Sequence, residues 1–343
     1  MQDIPDTTCG GYGCDKGTGE IASIDYDFQR AYYSKEVNKF LFISEDSLSL
    51  FIYDVDTRAT ATLHFERTIH YVSLSPDGMV AALNVPGKLF YIDVVNDSIL
   101  SQTYLPVLPG PLVIMHDKRV LALSRYQSLA CSINPFTGDY FYSHSVCDGV
   151  VDAVLDPNQD NVYGKGTSES PFTVLRIYVT DSTIDFCNQA QYETQQTYDN
   201  RIWMFNEGGR IMMEFGRTYG VEGSDTVNFN LHANLPGVSN VTSFSQSSSL
   251  GVLAVIPFAT QTLLDNTSGS SQVLIYNALT LSCVDTVLLP LIADTLDASI
   301  TASDRIWYTR AAGQSVNFSL NSSLLYVVAN MGGRKKAVIK VEL

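Results

Sequence analysis

The 343-residue sequence predicts an all-β fold, and three observations carry that prediction. Short apolar runs are separated by turn residues throughout the chain. One frame of turns and strands recurs along the chain. The composition is 45% apolar, only 17% charged, and rich in Tyr and Phe, as expected for strands that pack into a large core. Together these observations predict a seven-bladed β-propeller of four-stranded antiparallel blades.

The segment that begins at Tyr71 shows the repeated unit most clearly. In Ser75-Pro76-Asp77-Gly78, Pro sets φ for the second turn position and Gly accepts the positive φ that closes the turn. Val85-Pro86-Gly87 and Val95-Asn96-Asp97-Ser98 are two further turn signals. Three turns in a row predict a four-stranded meander, with strands at Tyr71–Ser75, Met79–Asn84, Lys88–Val94 and Ile99–Leu105.

The same frame recurs seven times. Each unit opens on a small polar turn, and the seven openings are Ser34, Ser75, His116, Asp156, Tyr198, Ser245 and Ser319. The predicted third strands close at Asp54, Asp93, Asn134, Thr180, Gly216, Asn277 and Glu342. The first four intervals between these closing residues are 39, 41, 46 and 36 residues, close to the length of a four-stranded blade. The last two are longer and indicate insertions.

The two ends of the chain complement each other. The seventh unit ends directly after its third strand, so its outer strand is missing. A strand-like segment, Glu20–Tyr26, precedes the first inner strand, Arg30–Ser34, and has no partner in its own unit. We expect it to complete the last blade and to close the ring. The predicted organisation is therefore an N-terminal Gly/Cys-containing tail, 1–18, and a propeller, 19–343.

Several stretches resemble the YVTN-type and WD-repeat-like propeller superfamily. These are the turn "SPDG", the third strands "FYIDVVNDS" and "FIYDVDTRAT", and "INPFTGDYFY" with its Asn-x-x-Thr-Gly between strands. The resemblance extends from Gly19 to Leu343 as architecture, and the sequence has no Trp-Asp dipeptide. It implies the fold. Functions in this superfamily range from enzymes to scaffolds, so the function must be argued from sites.

Charge and hydropathy exclude some classes of partner. The net charge is −15, which argues against nucleic acid because that partner needs a cationic surface. The longest apolar stretch, about Leu250 to Ala259, is interrupted by Gly251 and Pro257 and is too short for membrane insertion. No cofactor is predicted.

In propellers, the loops that enter the inner strands share one face with the loops between second and third strands. We expect this face to bind the partner, together with the long loop Phe258–Ser271. The charged and aromatic residues predicted to lie there are His70, Glu45, Asp46, Arg125, Tyr126, Glu207, Arg334, Lys335 and Lys336.

No catalytic residue and no metal site is predicted. The sequence contains no nucleophile elbow, phosphate loop or His-Glu-x-x-His motif. His70 and His116 are expected at opposite ends of neighbouring blades. Asp156-Pro-Asn158-Gln-Asp160 begins like a calcium loop, but Asn161 and Thr167 stand where Gly and Glu belong. We interpret it as the turn between the first two strands of the fourth blade.

The six cysteines permit disulfides. Cys9 and Cys14 enclose three glycines and are predicted to pair in an oxidising compartment; two free thiols or half of a metal site are the alternatives. Cys131 is predicted to lie opposite Tyr142 and hence not to pair with Cys147. Glycosylation sequons occur at Asn96, Asn240, Asn266, Asn317 and Asn321.

These features favour a secreted or cell-surface binding or structural module, which engages a protein or glycan partner and belongs to a larger assembly. The chain begins with a polar, acidic segment, so a leader is presumed removed; the alternative is a cytoplasmic protein. The alternative function is an enzyme of the lactonase or hydrolase kind, with its site at the channel mouth. Core side chains between blades, on second or third strands, are predicted to include Trp203, Phe205, Val328 and Phe90.

Overall fold

A computed structural model describes most of the chain. The described residues are 21–143, 149–158, 161–167, 172–180, 182–192, 201–221, 230–258, 270–289, 291–293, 308–310, 312–331 and 336–343. In this part of the chain the regular structure is entirely β. Two compact units are present, residues 28–233 and residues 1–27 with 234–343. The first strand, β1 (Ile21–Ile24), belongs to the second of these units.

Residues 28–233 contain five four-stranded sheets, and each sheet takes its strands in chain order from inner to outer. Blade one consists of β2 (Arg30–Ser34), β3 (Lys39–Ser44), β4 (Ser49–Asp54) and β5 (Thr60–His64). Blade two consists of β6 (Tyr71–Leu74), β7 (Val80–Val85), β8 (Lys88–Asp93) and β9 (Ser98–Tyr104). Blade three consists of β10 (Leu112–Ile114), β11 (Val120–Leu123), β12 (Ala130–Ile133) and β13 (Tyr140–Ser143). Blade four consists of β14 (Val150–Leu155), β15 (Asn161–Gly166), β16 (Phe172–Val179) and β17 (Ile184–Tyr192). Blade five consists of β18 (Ile202–Met204), β19 (Arg210–Met213), β20 (Arg217–Gly220) and β21 (Asn230–Asn234).

The second unit contains the last two sheets and one additional hairpin. Blade six consists of β22 (Val241–Ser247), β23 (Val252–Pro257), β24 (Gln272–Asn277) and β25 (Cys283–Leu288). The hairpin of β26 (Leu291–Ala293) and β27 (Tyr308–Arg310) lies in the predicted insertion before the last blade. Blade seven consists of β28 (Ala312–Phe318), β29 (Leu324–Asn330), β30 (Lys336–Glu342) and the N-terminal strand β1.

Seven sheets of this order are the blades of a seven-bladed β-propeller, so the predicted fold class is confirmed. The N-terminal strand completes the last blade as predicted: β1 pairs antiparallel with β30, with Ile21 opposite Ile339 and Ile24 opposite Lys336. An ion pair extends this pairing, since Lys336 Nζ lies 3.1 Å from Asp27 Oδ1.

The turns of blade two form as the sequence indicates. Gly78 has φ +65°, and its N–H donates to Ser75 O at 2.8 Å. Asp77 Oδ1 accepts from Ser75 Oγ at 2.5 Å and from the Met79 N–H at 3.2 Å. All four strand bounds of this blade agree with the prediction to within one residue.

Within each unit the core lies between consecutive blades, whose second and third strands are largely buried. Phe90, on a third strand, packs with apolar residues of blades one and two and is 8% exposed. Val328, on the second strand of blade seven, is fully buried. Both predicted core positions are confirmed.

The assignment of strands in blade five was wrong by one strand. Trp203 lies on β18, which is the inner strand, and Phe205 follows that strand directly; Phe205 is buried. Gly216 therefore does not close the third strand but precedes it, with φ +69° in the turn after Met213. The error arose because three very short strands are separated by two Gly-containing turns. Strands this short do not show enough apolar alternation to reveal which is the first, second or third strand of the blade.

We call the end of each blade at which the chain enters its inner strand the top face. In the described part of residues 28–233 it comprises turns 45–48, 86–87, 124–129 and 214–216 and the residues that directly precede β2, β6, β10, β14 and β18. The turns between first and second strands, and between third and fourth strands, form the bottom face.

At the bottom face, polar side chains in or beside the turns between first and second strands connect each blade of residues 28–233 to the next. Ser34 Oγ donates to Gly78 O at 2.6 Å, between blades one and two. Lys118 pairs with Asp77, between blades two and three. The last two links each reach a backbone carbonyl in the next blade: His116 Nε2 lies 3.2 Å from Asp156 O, and Asn158 Nδ2 lies 2.5 Å from Glu207 O.

Candidate functional site

Polar side chains converge on the top face of residues 28–233. The inner strands β2, β6, β10, β14 and β18 are neighbours in that order. Arginine, tyrosine or aspartate side chains stand among the first three residues of β2, β6 and β14 or directly before β18, whereas β10 begins with the buried Leu112. We define the top-face cluster by the residues that these strands and the 124–129 turn contribute: Arg30, Tyr32, Tyr71, Arg125, Asp152 and Arg201.

Arg30 connects blade one to blade two. Its guanidinium donates to the backbone carbonyl of His70 and, at 2.9 Å, to that of Ile69. It also lies 3.2 Å from Glu45 Oε1, in the second-to-third-strand turn of its own blade. The Glu45 N–H in turn donates to Gln29 Oε1 at 2.7 Å. Arg30 therefore fixes the segment that enters β6.

Two tyrosine hydroxyls lie within the field of these charges. Burial raises the pKa of Tyr32, and Asp152 raises it further, while Arg30 and Arg201 oppose the increase. Burial also raises the pKa of Tyr71, against the opposing effect of the nearby Arg125 guanidinium. Both phenols are therefore neutral hydrogen-bonding groups at physiological pH.

Asp152 supplies the carboxylate between these arginines. Its Oδ2 accepts from the Ile202 N–H at 2.9 Å, and its Oδ1 accepts from the Ala153 N–H at 3.0 Å. The first of these bonds joins blade four to blade five. It also anchors Arg201, which directly precedes Ile202 and is exposed. Asp152 thus holds a fixed position at the top of β14.

The turn that carries Arg125 and Tyr126 is held by its neighbours. Ser124 Oγ accepts from the Gln127 N–H at 3.1 Å, and Ser124 O accepts from the Val150 N–H at 2.9 Å. A Cβ at Gly149 would lie 1.8 Å from Arg125 O, so only glycine fits there. Tyr126 is 73% exposed, and the Arg125 guanidinium lies 5.8 Å from the centre of its ring. The result is an exposed Arg–Tyr pair on a fixed turn.

Five of the predicted binding residues lie on the top face of residues 28–233: His70, Glu45, Asp46, Arg125 and Tyr126. Glu207 does not, because β18 is an inner strand and Glu207 follows it into a bottom-face turn, where it pairs with Arg210. Lys336 begins β30 in the other unit. Arg334 and Lys335, and all of 259–269 in the predicted loop Phe258–Ser271, lie outside the described residues.

Sequence reasoning missed Arg30, Tyr32, Tyr71, Asp152 and Arg201 as site residues. A signal was present, since each occupies one of the first three positions of an inner strand or directly precedes one. Charged residues at the start of otherwise apolar strands are a usable criterion when the strand order is known. The order of β18 was not recognised, so Arg201 could not have been found in this way.

The described residues contain no group of three or more His, Cys, Asp or Glu side chains that could hold a metal. The Asp156 segment is the turn between β14 and β15, as interpreted: the Asp156 N–H donates to Asn161 O at 2.9 Å, and Asp156 Oδ1 accepts from the Asn158 N–H. His70 and His116 lie at opposite ends of their blades, as predicted. No described helix is long and apolar enough to cross a membrane.

Cys131 pairs in register with Tyr142, as predicted. It is a buried free thiol, and burial raises its pKa to about 12. Cys9, Cys14 and Cys147 lie outside the described residues, so the Cys9–Cys14 disulfide stays a prediction. Among the sequons, Asn96 is exposed in the β8–β9 turn, and Asn321 is exposed in a turn of blade seven.

Of the other three sequons, two are less suitable for a glycan because they are half-buried, and one lies outside the described residues. Asn240 is half-buried before β22. Asn317 is half-buried on the inner strand β28, where its amide donates to Ser315 Oγ at 2.9 Å. Such a position leaves little room for a glycan. Asn266 lies outside the described residues.

Comparison with known proteins identifies the fold and not a family. No family profile matches the sequence, and no curated protein matches it either. The β-propeller domain of Cps50 (Swd1) from Myceliophteria thermophila is 10% identical with a TM-score of 0.64, and the match covers 94% of this chain and 99% of that structure. The WD40 repeats of RRP9 are 10% identical with a TM-score of 0.60, covering 95% and 99%. Hydrazine synthase from Kuenenia stuttgartiensis is 10% identical with a TM-score of 0.62, covering 93% and 97%.

These similarities agree with the WD-repeat-like resemblance predicted from the turns and third strands. At such identities they establish the fold alone. One of the three similar structures is named as an enzyme and another as WD40 repeats. The fold therefore does not decide the function, which has to be argued from the top-face cluster.

Proposed function

We propose that this chain is a secreted or cell-surface binding module that engages a partner protein through the top face of residues 28–233. The observation that carries the proposal is the exposed Arg125–Tyr126 pair on a turn that blade four holds in place. Tyr and Arg are the side chains that most often dominate binding energy at protein interfaces, because each offers both apolar area and hydrogen bonds.

The arrangement of the top-face cluster supports this proposal. Arg30 and Asp152 form hydrogen bonds to backbone groups of neighbouring blades. They therefore position the site, and few of their donors and acceptors remain for a ligand. Arg125, Tyr126 and Arg201 are exposed beside them. A site whose supporting residues are fixed by hydrogen bonds loses little conformational entropy on binding.

Site-specific photo-crosslinking tests this proposal. A benzoylphenylalanine at Tyr126 should capture one defined partner from native-source material, and the same group at Met79 should not. Met79 is exposed in a bottom-face turn of blade two, so it is a matched control. The captured protein, produced separately, should bind the purified chain, and Tyr126→Ala should weaken that binding by tenfold or more. Equal capture from both positions would contradict the assignment of the top face.

The glycan partner and the compartment are separate parts of the proposal. A glycan array probed with the purified chain tests the first; binding that Tyr126→Ala abolishes would replace the partner protein with a glycan.

The secreted location is supported by the sequons and by the Cys9–Cys14 spacing. The intact mass of native-source material should include a glycan, which we expect on Asn96. It should also be lower by the two hydrogens that a Cys9–Cys14 disulfide removes. Unmodified mass with six free thiols would place the module in a reducing compartment.

A further inference from the structure

We infer that the top-face cluster receives a carboxylate, presented by an acidic segment of the partner protein. The inference rests on the proposed function, because it assigns the chemistry of the group that the same top face would bind. It depends on the charge of the cluster, on the contacts that each cluster residue already makes and on the exposure of Arg125.

The charge of the cluster runs against that of the chain. The whole sequence has 36 acidic residues and 21 Lys and Arg. In the cluster, three arginines accompany one aspartate. Glu45 and the exposed Asp46 lie at its border, on the turn beside Arg30. An anionic ligand would be repelled by most of this protein's surface, so a local group of arginines acts as the place where such a ligand can be held.

The individual contacts show which arginines face a ligand. Arg30 is occupied by two backbone carbonyls and Glu45. Asp152 is directed at backbone N–H groups. Arg125 is exposed, its guanidinium lies 5.8 Å from the centre of the Tyr126 ring, and its charge acts on the neutral Tyr71 phenol. Its charge therefore has no carboxylate partner among these contacts, whereas Arg30 has one.

A carboxylate is the anion that this geometry fits. A guanidinium offers two parallel N–H donors to the two oxygens of a carboxylate. The Tyr71 and Tyr32 hydroxyls add neutral donors nearby. Tyr126 supplies an aromatic surface for the aliphatic part of a glutamate side chain. Since the pair lies on an exposed turn and not in a deep cavity, a side chain on an extended peptide can reach it.

Fluorescence anisotropy with labelled hexaglutamate tests the inference, and labelled hexaglutamine is the uncharged control peptide. The wild-type chain should bind hexaglutamate and not hexaglutamine, with affinity falling as salt increases. Arg125→Gln should weaken binding about tenfold or more, since it removes a charge-assisted pair. Arg58→Gln is the matched control, because Arg58 is exposed in a bottom-face turn; it should change affinity less than twofold.

Three outcomes of the peptide experiment would overturn the inference. These are no binding of hexaglutamate, equal binding of both peptides, and equal effects of Arg125→Gln and Arg58→Gln. Tight binding of a labelled trigalacturonate in place of hexaglutamate would assign the site to an acidic glycan and would also overturn it. A melting curve of Arg125→Gln that matches wild type shows that the variant is folded, and Tyr126→Ala provides a second variant. Crosslinking from Tyr126 would still identify a partner if hexaglutamate does not bind, so failure of this inference and failure of the proposed function are distinguishable.

Discussion

Lys165 Nζ lies 2.5 Å from Glu214 Oε1, and both side chains are 1% exposed. Lys165 is on β15 in blade four, and Glu214 follows β19 in blade five. A charge pair thus lies in the interface between two blades, where most side chains are apolar. Removing one charge from a buried pair leaves the other uncompensated in a medium of low polarity.

The first prediction concerns this pair. Lys165→Met and Glu214→Leu should each lower the free energy of unfolding by about 3–5 kcal/mol. The double variant should recover most of this loss, because two apolar side chains can replace a buried pair at little cost. Chemical denaturation of the four proteins gives the coupling energy. Additive losses in the double variant would show that each residue acts through other contacts.

The second prediction concerns the N-terminal strand. Deleting residues 1–24 removes β1 and exposes the edge of β30 along Lys336–Ile339. An unpaired edge of this length templates association between chains, so the truncated protein should form oligomers and melt at a lower temperature. Light scattering during a thermal ramp measures both effects. Deleting residues 1–18 is the control and should leave the melting temperature unchanged; a monomeric, cooperatively melting 1–24 deletion would refute the role of β1.

The third prediction concerns Gly149. Gly149→Ala would place a methyl group against the backbone of Arg125, and the backbone has to move to relieve the overlap. We expect a loss of about 1–3 kcal/mol in the free energy of unfolding, together with weaker partner binding at the top face. Gly220→Ala is the control, because nothing lies within 4 Å of the position of its Cβ. If the two variants are equally stable, the 124–129 turn is not held by close approach of Gly149.

The fourth prediction is a dependence of stability on pH that involves His70. Burial lowers the pKa of His70, and the nearby Arg30 charge lowers it further, although Glu45 opposes this. The unfolded chain therefore binds a proton at this residue at higher pH than the folded chain does. Stability is complete above the ordinary histidine pKa of about 6.5 and decreases as pH falls through the lower folded pKa.

His70→Asn should reduce this decrease, as measured by melting temperatures between pH 7.5 and 5. His232→Asn, at an exposed position of β21, is the matched control. A pH profile of His70→Asn identical to that of wild type would assign the dependence to other groups.

The fold was accessible from sequence because its signals are local. Each turn of blade two is specified by residues within four positions of each other, and Gly78 and Asp77 behave as their types predict. The N-terminal strand was predicted by counting strands. The last blade had only three in the sequence, and Glu20–Tyr26 had no partner in its own unit. Blade five failed because β18, β19 and β20 have three or four residues each, too few for alternation to define an order.

The site was less accessible because it is assembled from distant parts of the chain. Arg30, Tyr71, Arg125, Asp152 and Arg201 come from five blades, and no spacing in sequence links them. Arg125 and Tyr126 were named because they lie in a predicted turn. Asp152 and Arg201 were missed because their roles depend on one hydrogen bond across a blade interface, from Ile202 to Asp152.

The links along the bottom face have a consequence for how this sequence can change over time. In three of the four, a side chain donates to a main-chain oxygen, and the donors are serine, histidine and asparagine. A main-chain oxygen is present whatever residue stands at the receiving position, so substitution there leaves the acceptor in place. The donating position in turn tolerates any side chain with an N–H or O–H of suitable reach. Divergence can therefore change residue identity at both partners while the blades stay joined.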